Sequence, residues 1–175
     1  MKFFREFITH PMETGAIVSS SAKLAKLIVG ISDLSKKRCV VELGPGTGTL
    51  TKEILQRISP ETSFFSLEIN GQFVKATQRN CPNATIYHAS ALEIKRYLIQ
   101  HNQNTCDSII SALPWGIFGQ NLQEKLLESI YESLDDGGEF LTIAYIFGLI
   151  SPPGIRFREL LNKRFRKVRR SKIIW

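Results

Sequence analysis

The sequence has little cysteine and lacks any long uninterrupted hydrophobic run. Its three cysteines, Cys39, Cys81 and Cys106, are odd in number and too widely spaced to form a zinc site. This scarcity argues against a disulfide scaffold and a metal centre, so we expect a reduced intracellular protein without a bound metal. No stretch reaches the ~20 apolar residues that a membrane-spanning helix needs. Charge interrupts the apolar residues 3–8, so we expect no cleaved signal peptide.

Acidic residues are too few to balance the basic ones. The chain carries 23 Lys plus Arg against 16 Asp plus Glu, a formal net charge of +7 over 175 residues. A surplus of this size indicates attraction to a polyanion, either nucleic acid or an anionic membrane. Hydrophobic residues make up 43% of the chain, which suits one globular domain rather than a disordered chain. We therefore predict a single domain over residues 1–175.

Short apolar runs alternate with helical patterns in the middle of the chain. Five runs are predicted as buried strands, at residues 39–43, 63–69, 84–89, 107–113 and 139–145. Between them, one predicted helix face carries Leu50, Ile54, Leu55 and Ile58, and another carries Leu122, Leu126, Ile130 and Leu134. This alternation predicts parallel pairing through right-handed crossovers, and hence a doubly wound, mostly parallel α/β sheet.

The first 32 residues are predicted to be helical and to precede a core of residues 33–150. A short helix breaks at Pro11, and a second helix has its N-cap at one of Ser19, Ser20 and Ser21. The predicted inner face of the second helix consists of Leu24, Leu27, Ile28 and Ile31. In the first helix, a shared apolar face consists of Phe3, Phe4, Phe7 and Ile8. Such a face is typical of a helix in a membrane interface and equally of core packing.

The C-terminal segment, residues 151–175, concentrates the positive charge. Nine Lys or Arg residues and a single acid, Glu159, lie between positions 156 and 172. Such a run binds anionic lipid headgroups and phosphodiester backbones equally well, and a solvated face is the third interpretation. Four apolar residues interleave with this charge and favour an interface: Phe157, Phe165, Ile173 and Trp175.

Three glycines, Gly44, Gly46 and Gly48, follow the first predicted strand. They lie between a strand that carries Glu42 near its end and a helix, which predicts bare backbone N–H groups at a helix N-terminus. The spacing differs from the G-x-G-x-x-G of dinucleotide binders, so a turn without a ligand stays an alternative. Glu68 follows near the end of the next strand, where such sites use an acid to bind ribose hydroxyls. Together these features predict a nucleoside site.

The stretch VVELGPGTGTLT, residues 40–51, followed by SLEIN, resembles the first two motifs of class I S-adenosylmethionine-dependent methyltransferases. This resemblance implies a Rossmann-like fold and S-adenosyl-L-methionine as the cofactor. It implies that residues 42–48 hold the methionine and ribose part and that Glu68 holds the ribose. The family's third motif offers an acid to the adenine amine, where this chain has Ser90. Ser111, within the fourth predicted strand, completes the cofactor set.

The acceptor motif is predicted in SALPWGIFG, residues 111–119. Adenine-N6 methyltransferases and ribosomal RNA adenine dimethyltransferases carry an Asn-Leu-Pro-Tyr type of motif here, whose amide reads adenine and whose aromatic ring stacks on the flipped base. In this chain Ala112 stands at the polar position, while Leu113, Pro114 and Trp115 keep the backbone shape and an aromatic ring. The amide that recognises adenine is therefore missing.

A different branch of methyltransferases fits more of the chain. From about Phe7 to Trp175, the sequence resembles bacterial phospholipid N-methyltransferases, which methylate phosphatidylethanolamine stepwise toward phosphatidylcholine. The resemblance rests on FITHPMETGAIVSSSAKLAKLI, VVELGPGTGTLT, SALPW, LTIAY and RFRKVRRSKIIW in this order. It implies a phospholipid substrate, an anionic membrane surface as partner, and a cytoplasmic location peripheral to the inner membrane face. Family members continue into a further strand, so this sheet is expected to lack its last strand.

The predicted catalytic residues are Tyr145, Trp115 and Pro114. Methyl transfer to an amine needs an unprotonated nucleophile held in line with the methyl group. Tyr145, at the end of the fifth predicted strand, is the candidate to orient or deprotonate the amine, and a structural tyrosine is the alternative. Trp115, on a loop shaped by Pro114, is expected to face the cationic amine through a cation–π contact.

The roles of the three histidines and two alternative functions are left open by the sequence. His10 and His88 are possible bases, although single histidines are more often structural, and His101 is predicted to be solvated. An RNA or DNA adenine-N6 methyltransferase is the first rival, supported by the basic segment. A non-catalytic membrane-binding protein that kept a cofactor fold is the second.

Overall fold

The computed structural model describes residues 15–144, 148 and 150–171 of the chain, with side chains from Ala22 onward. Several predictions therefore lie outside the described residues. They concern the first helix with His10, the catalytic role of Tyr145, and the apolar residues Ile173 and Trp175.

Five parallel strands form one sheet in the order β3-β2-β1-β4-β5. They are β1 (Cys39–Leu43), β2 (Ser63–Glu68), β3 (Ile86–His88), β4 (Cys106–Ser111) and β5 (Leu134–Thr142). On the central strand β1, Val41 lies opposite Phe65 of β2 and Ile109 of β4. The predicted doubly wound parallel α/β sheet is therefore confirmed.

Within the described part of the chain, six helices cover the two faces of the sheet. They are α1 (Gly15–Val29), α2 (Thr49–Leu55), α3 (Gly71–Asn80), α4 (Ile94–Gln100), α5 (Gln120–Ser133) and α6 (Pro152–Arg164). Because side chains alternate along a strand, Val40 packs with α1 and α2 while Val41 packs with α4, α5 and α6. The sheet is thus buried on both faces, as parallel sheets require. No helix among the described residues is long and apolar enough to cross a membrane.

Helix α1 differs from its prediction at both ends. It begins at Gly15, so Ser19, Ser20 and Ser21, one of which was expected to be its N-cap, all lie inside the helix. It ends at Val29, because the chain turns at Gly30, whose N–H donates to Lys26 O and Leu27 O at 3.1 Å each. Ile31 follows that turn and is exposed, whereas Ala25, Ile28 and Val29 are buried. The expected place of Ile31 on the inner face is therefore wrong.

Helix α5 is rotated by about one residue relative to its prediction. Leu122 was expected on the inner face and is exposed, whereas the neighbouring Gln123 is fully buried. Leu126 and Ile130 are buried as expected, together with Leu127. The rotation places a polar amide, rather than a leucine, in the core.

Strands β2 and β5 end earlier than predicted. β2 ends at Glu68, because Ile69 lies outside the ladder and is exposed. β5 ends at Thr142, three positions before the predicted end. Thr142 Oγ1 still donates to Ser111 O at 3.2 Å, so the two strand ends lie side by side.

Two aromatic residues, one on helix α6 and one directly after it, pack inward rather than toward solvent. Phe157 is buried and stacks on Trp115 with ring centroids 4.3 Å apart. Phe165, which follows the helix, is half-buried and stacks on Phe140 at 5.9 Å. Both rings therefore pack against the core instead of facing outward between the charges, and the interface expected of the basic segment stays a prediction.

Candidate active site

The candidate site lies at the carboxyl ends of β1, β2 and β4. The strand order reverses at β1, which pairs with β2 on one side and with β4 on the other. In open α/β sheets, the crevice at such a reversal is where ligands bind. Residues 44–48, which we call the glycine loop, follow β1 at this reversal. Residues 112–118, which we call the acceptor loop, follow β4.

The glycine loop adopts backbone conformations that require glycine. Gly44, Gly46 and Gly48 have φ values of 74°, 62° and 89°, a region that residues with a Cβ rarely adopt. At Gly48 a Cβ would also lie 3.1 Å from Thr77 Cγ2 and 3.2 Å from Cys81 Sγ. Helix α3 is packed against the loop, since Thr77 Oγ1 donates to Gly46 O at 2.7 Å. The glycines are needed both for the turn and for this close approach.

Glu68 connects the end of β2 to the glycine loop. Its Oε2 accepts from Gly46 N at 3.3 Å, and its Oε1 accepts from Asn70 N at 2.9 Å. The structure thus brings Glu68 and the loop together, as the sequence predicts. Because both bonds come from backbone N–H groups, the orientation of the carboxylate is set by the strand and the loop.

Glu42 is fully buried at the end of β1. Its Oε2 accepts from Thr51 Oγ1 at 2.8 Å and from Ser66 Oγ at 2.6 Å. Burial raises the pKa of Glu42 to about 7, although both hydroxyl donors oppose the shift. Within the described part of the chain, Glu42 Oε1 has no hydrogen-bond partner, and an unpaired buried polar atom is costly. This oxygen is suited to accept a hydrogen bond from a ligand.

The two serines of the predicted cofactor set have local partners. Ser90 Oγ accepts from Leu92 N at 3.2 Å, and Glu93 Oε1 accepts from Ser90 N at 3.1 Å, which forms a capping box. Ser111 is buried, and its Oγ accepts from Leu113 N at 3.2 Å and from Trp115 Nε1 at 3.3 Å. Both hydroxyls therefore shape the loops after their strands, and their roles toward the cofactor stay predictions.

The acceptor loop holds Pro114 and Trp115 in different environments. Pro114 is half-buried and precedes a 3₁₀ turn, in which its carbonyl accepts from Ile117 N at 3.1 Å. Trp115 is only 3% exposed, since Phe157 stacks on its ring and Phe118 and Phe140 contact it edge-on. In this conformation the indole belongs to the core. Its predicted cation–π role requires a rearrangement of the loop and stays a prediction.

Gln123 holds the acceptor loop against α6 and was missed by sequence reasoning. Its Nε2 donates to Trp115 O at 2.7 Å and to Pro153 O at 2.9 Å. Its Oε1 accepts from Arg156 Nε at 3.0 Å. The missed signal is a polar residue at helical spacing from Leu127 and Ile130, inside an otherwise apolar stripe.

Three glycines, Gly116, Gly148 and Gly154, form a close contact that we call the glycine junction. A Cβ on Gly116 would lie 2.8 Å from Gly148 Cα, and a Cβ on Gly154 would lie 1.7 Å from Gly148 O. Ser151, the N-cap of α6, directs its hydroxyl toward two carbonyls, with Oγ 2.7 Å from Gly148 O and 3.0 Å from Gly116 O. The junction thus joins the acceptor loop, the segment after β5 and the start of α6.

The described histidines lie at the periphery. His88 is exposed, with Nε2 2.9 Å from Ile69 O. His101 was expected to be solvated, but it is half-buried between Tyr87 Oη at 2.9 Å and Ser63 Oγ at 3.3 Å. Ser63 begins β2, so His101 lies at the amino end of this strand, whereas the site lies at the carboxyl ends of the strands. The described residues also include no group of three or more His, Cys, Asp or Glu side chains that could hold a metal ion.

Sequence comparison relates the chain to two kinds of methyltransferase. The profile of ribosomal RNA adenine dimethylase matches residues 18–149. An ornithine lipid N-methyltransferase from Singulisphaera acidiphila is 28% identical over 141 residues, covering 79% of this chain and 73% of that protein. A ribosomal RNA small subunit methyltransferase A from Clostridium botulinum is 32% identical over 104 residues, covering 58% of this chain and 36% of that protein. The chain thus matches little more than a third of that RNA methyltransferase.

Solved structures share the fold. The N-methyltransferase NodS from Bradyrhizobium japonicum superposes with a TM-score of 0.65 at 10% identity, covering 83% of this chain and 82% of that one. The O-methyltransferase TomG from Streptomyces achromogenes, in complex with S-adenosylmethionine, gives 0.64 at 15% identity, covering 88% and 80%. The fold and the glycine loop define a class I S-adenosylmethionine-dependent methyltransferase. Within that class, the chain belongs to the ribosomal RNA adenine dimethylase family.

The residues of the glycine loop fit S-adenosylmethionine, the cofactor of this class. The space beside Gly46 is open, since a Cβ built there meets no atom within 4 Å. The unpaired Glu42 Oε1 offers a buried acceptor on the strand that leads into the loop, and the Glu68 carboxylate accepts a hydrogen bond from Gly46 N. When bound, the cofactor supplies an electrophilic methyl group on a sulfonium. The loop, Glu42 and Glu68 are the candidates to hold it.

Proposed function

We propose that this protein methylates the amine of phosphatidylethanolamine toward phosphatidylcholine, at the anionic surface of the inner face of the cytoplasmic membrane. The relative with the broadest match among those described is a lipid N-methyltransferase, and the similarity extends over 79% of this chain and 73% of that protein. The +7 charge of the chain suits an anionic surface. An amine on a lipid headgroup is therefore the acceptor that we favour.

The observation that carries this proposal is the acceptor loop at Ala112. Its backbone N donates to Leu43 O at 3.0 Å, and its side chain packs with the apolar cluster on the α1 face of the sheet. The methyl group of an alanine offers no hydrogen bond, so the position that reads adenine in RNA methyltransferases has no polar group here. A nucleobase would therefore lose its main polar contact at this position, which favours an acceptor that is not a nucleobase.

The chemistry asks the protein to position a neutral amine and to take up a proton. The ethanolamine nitrogen attacks the methyl carbon as the carbon–sulfur bond breaks, and the new ammonium then releases a proton if another methyl group is to be added. In our proposal, the loop of Pro114 and Trp115 shapes the acceptor side, and Tyr145 orients the amine or accepts its proton. All three assignments stay proposals for mutagenesis.

The test is transfer of labelled methyl from S-adenosylmethionine to vesicles of defined headgroup. We expect label in phosphatidylethanolamine mixed with phosphatidylglycerol, and none in phosphatidylcholine mixed with phosphatidylglycerol, which has no free N–H. Ornithine lipid serves as a second lipid with an amine. Label in ornithine lipid alone would show that the acceptor is a lipid but that its headgroup is not ethanolamine. Glu68→Ala is the control for transfer that depends on the cofactor site.

A second candidate function is adenine-N6 methylation of RNA. The family profile and the 32% identity to a ribosomal RNA methyltransferase favour it. Ala112 is the observation against it. Unmethylated ribosomal RNA is therefore included as a parallel acceptor, and label in RNA without label in any lipid would replace the lipid proposal.

A further inference from the structure

Three large apolar side chains are exposed around the glycine junction. Ile117 is 49% exposed, Ile150 71% and Ile155 39%. Each directly adjoins, in sequence, a glycine of the junction or its cap Ser151. Exposed apolar residues that cluster in this way mark an interaction surface, whereas scattered ones need no explanation. We call these three residues the isoleucine rim.

The rim adjoins the acceptor loop. Ile117 ends the 3₁₀ turn that begins at Trp115, and its N–H donates to Pro114 O at 3.1 Å. The Ser151 hydroxyl, shared between Gly148 O at 2.7 Å and Gly116 O at 3.0 Å, links the start of α6 to the same turn. A surface that contacts the rim is therefore brought up to the acceptor loop.

Positive charge continues from the rim along α6. Ile155 and Arg158 are three residues apart and both exposed, so they share one face of the helix. Beyond the end of the helix, the chain carries four further exposed basic residues, Arg166, Lys167, Arg169 and Arg170. The only acid on α6 is Glu159. An apolar tip is thus joined to a surface on which basic residues outnumber the single acid, Glu159.

We propose that the isoleucine rim enters the interfacial layer of an anionic membrane while Arg158 and the basic residues after α6 contact the lipid headgroups. The link from docking to catalysis rests on the proposed lipid acceptor. Burial of apolar area and attraction of Lys and Arg to anionic lipids reinforce each other in interfacial proteins. Nucleic acid is bound instead by basic residues together with aromatic rings that stack on bases, and the rim has no aromatic member.

The first experiment measures cosedimentation of the full chain with phosphatidylethanolamine–phosphatidylglycerol vesicles. Replacing the rim by serine, as Ile117→Ser with Ile150→Ser and Ile155→Ser, should weaken vesicle binding by about tenfold or more. The matched control is Ile31→Ser with Ile99→Ser, because these isoleucines are 55% and 69% exposed and belong neither to the acceptor loop nor to α6. Equal binding by the rim variant and the control variant would overturn the proposal.

The second experiment separates docking from chemistry. Methyl transfer to a short-chain phosphatidylethanolamine dissolved as monomers needs no membrane. A variant with only Ile150→Ser and Ile155→Ser, both outside the acceptor loop, should therefore keep this transfer while losing transfer to vesicles. Loss of both, with a lowered melting temperature, would overturn the proposal, because the rim would then be structural. If the wild type binds vesicles through the rim but methylates no lipid, docking is supported and the proposed function fails. Rim-dependent binding of RNA without vesicle binding overturns docking on membranes.

Discussion

The cofactor half of the sheet, β1 to β3, and the acceptor half, β4 and β5 with α5 and α6, are held by different kinds of contact. In the cofactor half, the carboxylates Glu42 and Glu68 accept hydrogen bonds from residues at the ends of neighbouring elements. In the acceptor half, the stacked pair Trp115 and Phe157 and the buried amide of Gln123 join segments far apart in sequence. The first arrangement follows from strand ends that parallel pairing brings together, and the second depends on how α5 and α6 pack.

The largest effect is expected at the glycine junction. Gly154→Ala places a methyl group 1.7 Å from Gly148 O, so the start of α6 must move away from the acceptor loop. We expect a loss of roughly 3 kcal/mol in the free energy of unfolding, the upper end for overpacking. Urea denaturation measures it. Gly71→Ala is the control, since its methyl group meets only His88 at an ordinary 3.4 Å, and an equal loss in both variants would remove the special role of the junction.

Gln123 tests whether the two halves can be uncoupled. Gln123→Met keeps the volume but leaves the carbonyls of Trp115 and Pro153 and the guanidinium of Arg156 without their amide partner. We expect a loss of about 2 kcal/mol in the free energy of unfolding. We also expect kcat to fall roughly tenfold, because the acceptor loop is misplaced while the dissociation constant for S-adenosylmethionine stays unchanged.

The control for Gln123 lies one turn earlier on the same helix. Gln120→Met removes only an exposed hydrogen bond to Glu124, 2.9 Å long, and should leave both stability and kcat near the wild type. Gln123→Glu keeps the acceptor for Arg156 but loses the two donors, so partial recovery of kcat would separate their contributions. An equal loss of cofactor affinity and kcat in Gln123→Met would show that the halves are not separable.

In the cofactor half, we expect Glu42 to favour cofactor binding while it lowers the free energy of unfolding above pH 7. The folded-state pKa is about 7, above the ordinary 4.5, so the folded protein holds an extra proton between these values. The stability that this proton provides is complete below pH 4.5 and is lost as the pH rises through 7. Glu42→Gln should therefore raise the free energy of unfolding above pH 7 by on the order of 1 kcal/mol, and weaken cofactor binding roughly tenfold.

Urea titrations at pH values on both sides of 7, with and without S-adenosylmethionine, test this expectation. Glu61→Gln is the control because its side chain is fully exposed, and it should change stability by less than about 0.5 kcal/mol. A Glu42→Gln protein that is less stable than the wild type above pH 7 would contradict the account.

The smallest effect is expected at His101, on the far side of the sheet. Burial lowers the pKa of His101 below its ordinary 6.5, and its ring stacks on Phe65 at 4.7 Å. The stability that depends on neutral His101 is present above pH 6.5 and is lost as the pH falls through the lowered folded-state pKa. In His101→Gln, the free energy of unfolding measured by urea titration should therefore fall less steeply as the pH is lowered. Methyl transfer measured at pH 8 should be unchanged, and a drop there would tie His101 to the site.

Much of the cofactor half could be predicted from sequence because its glycines and its acid lie directly at strand ends. Gly44, Gly46 and Gly48 follow directly on a strand, and the positive φ at each explains why only glycine fits. Glu68 could be placed at the loop because the ends of neighbouring parallel strands meet at one edge of the sheet. The orphan oxygen of Glu42 could not be predicted, since burial of its carboxylate depends on Thr51 and Ser66 together.

The acceptor half was harder because periodicity fixes a helix face only to within about one residue. A shift of one residue exchanged Leu122 for Gln123 in the core. Phe157 reads as an interfacial aromatic in a basic segment, and only the docking of α6 on Trp115 turns it inward. The isoleucines that remain exposed could be identified only after these aromatics had been assigned to the core.

The most direct test of the central claim places both acceptors in competition. The wild-type chain receives labelled S-adenosylmethionine together with phosphatidylethanolamine–phosphatidylglycerol vesicles and unmethylated ribosomal RNA, and the label is counted in the lipid and RNA fractions. The account predicts label in the lipid fraction, retained by Gln120→Met and lost in Glu68→Ala. Label in the RNA fraction alone would contradict it, because an acceptor loop with Ala112 would then select adenine.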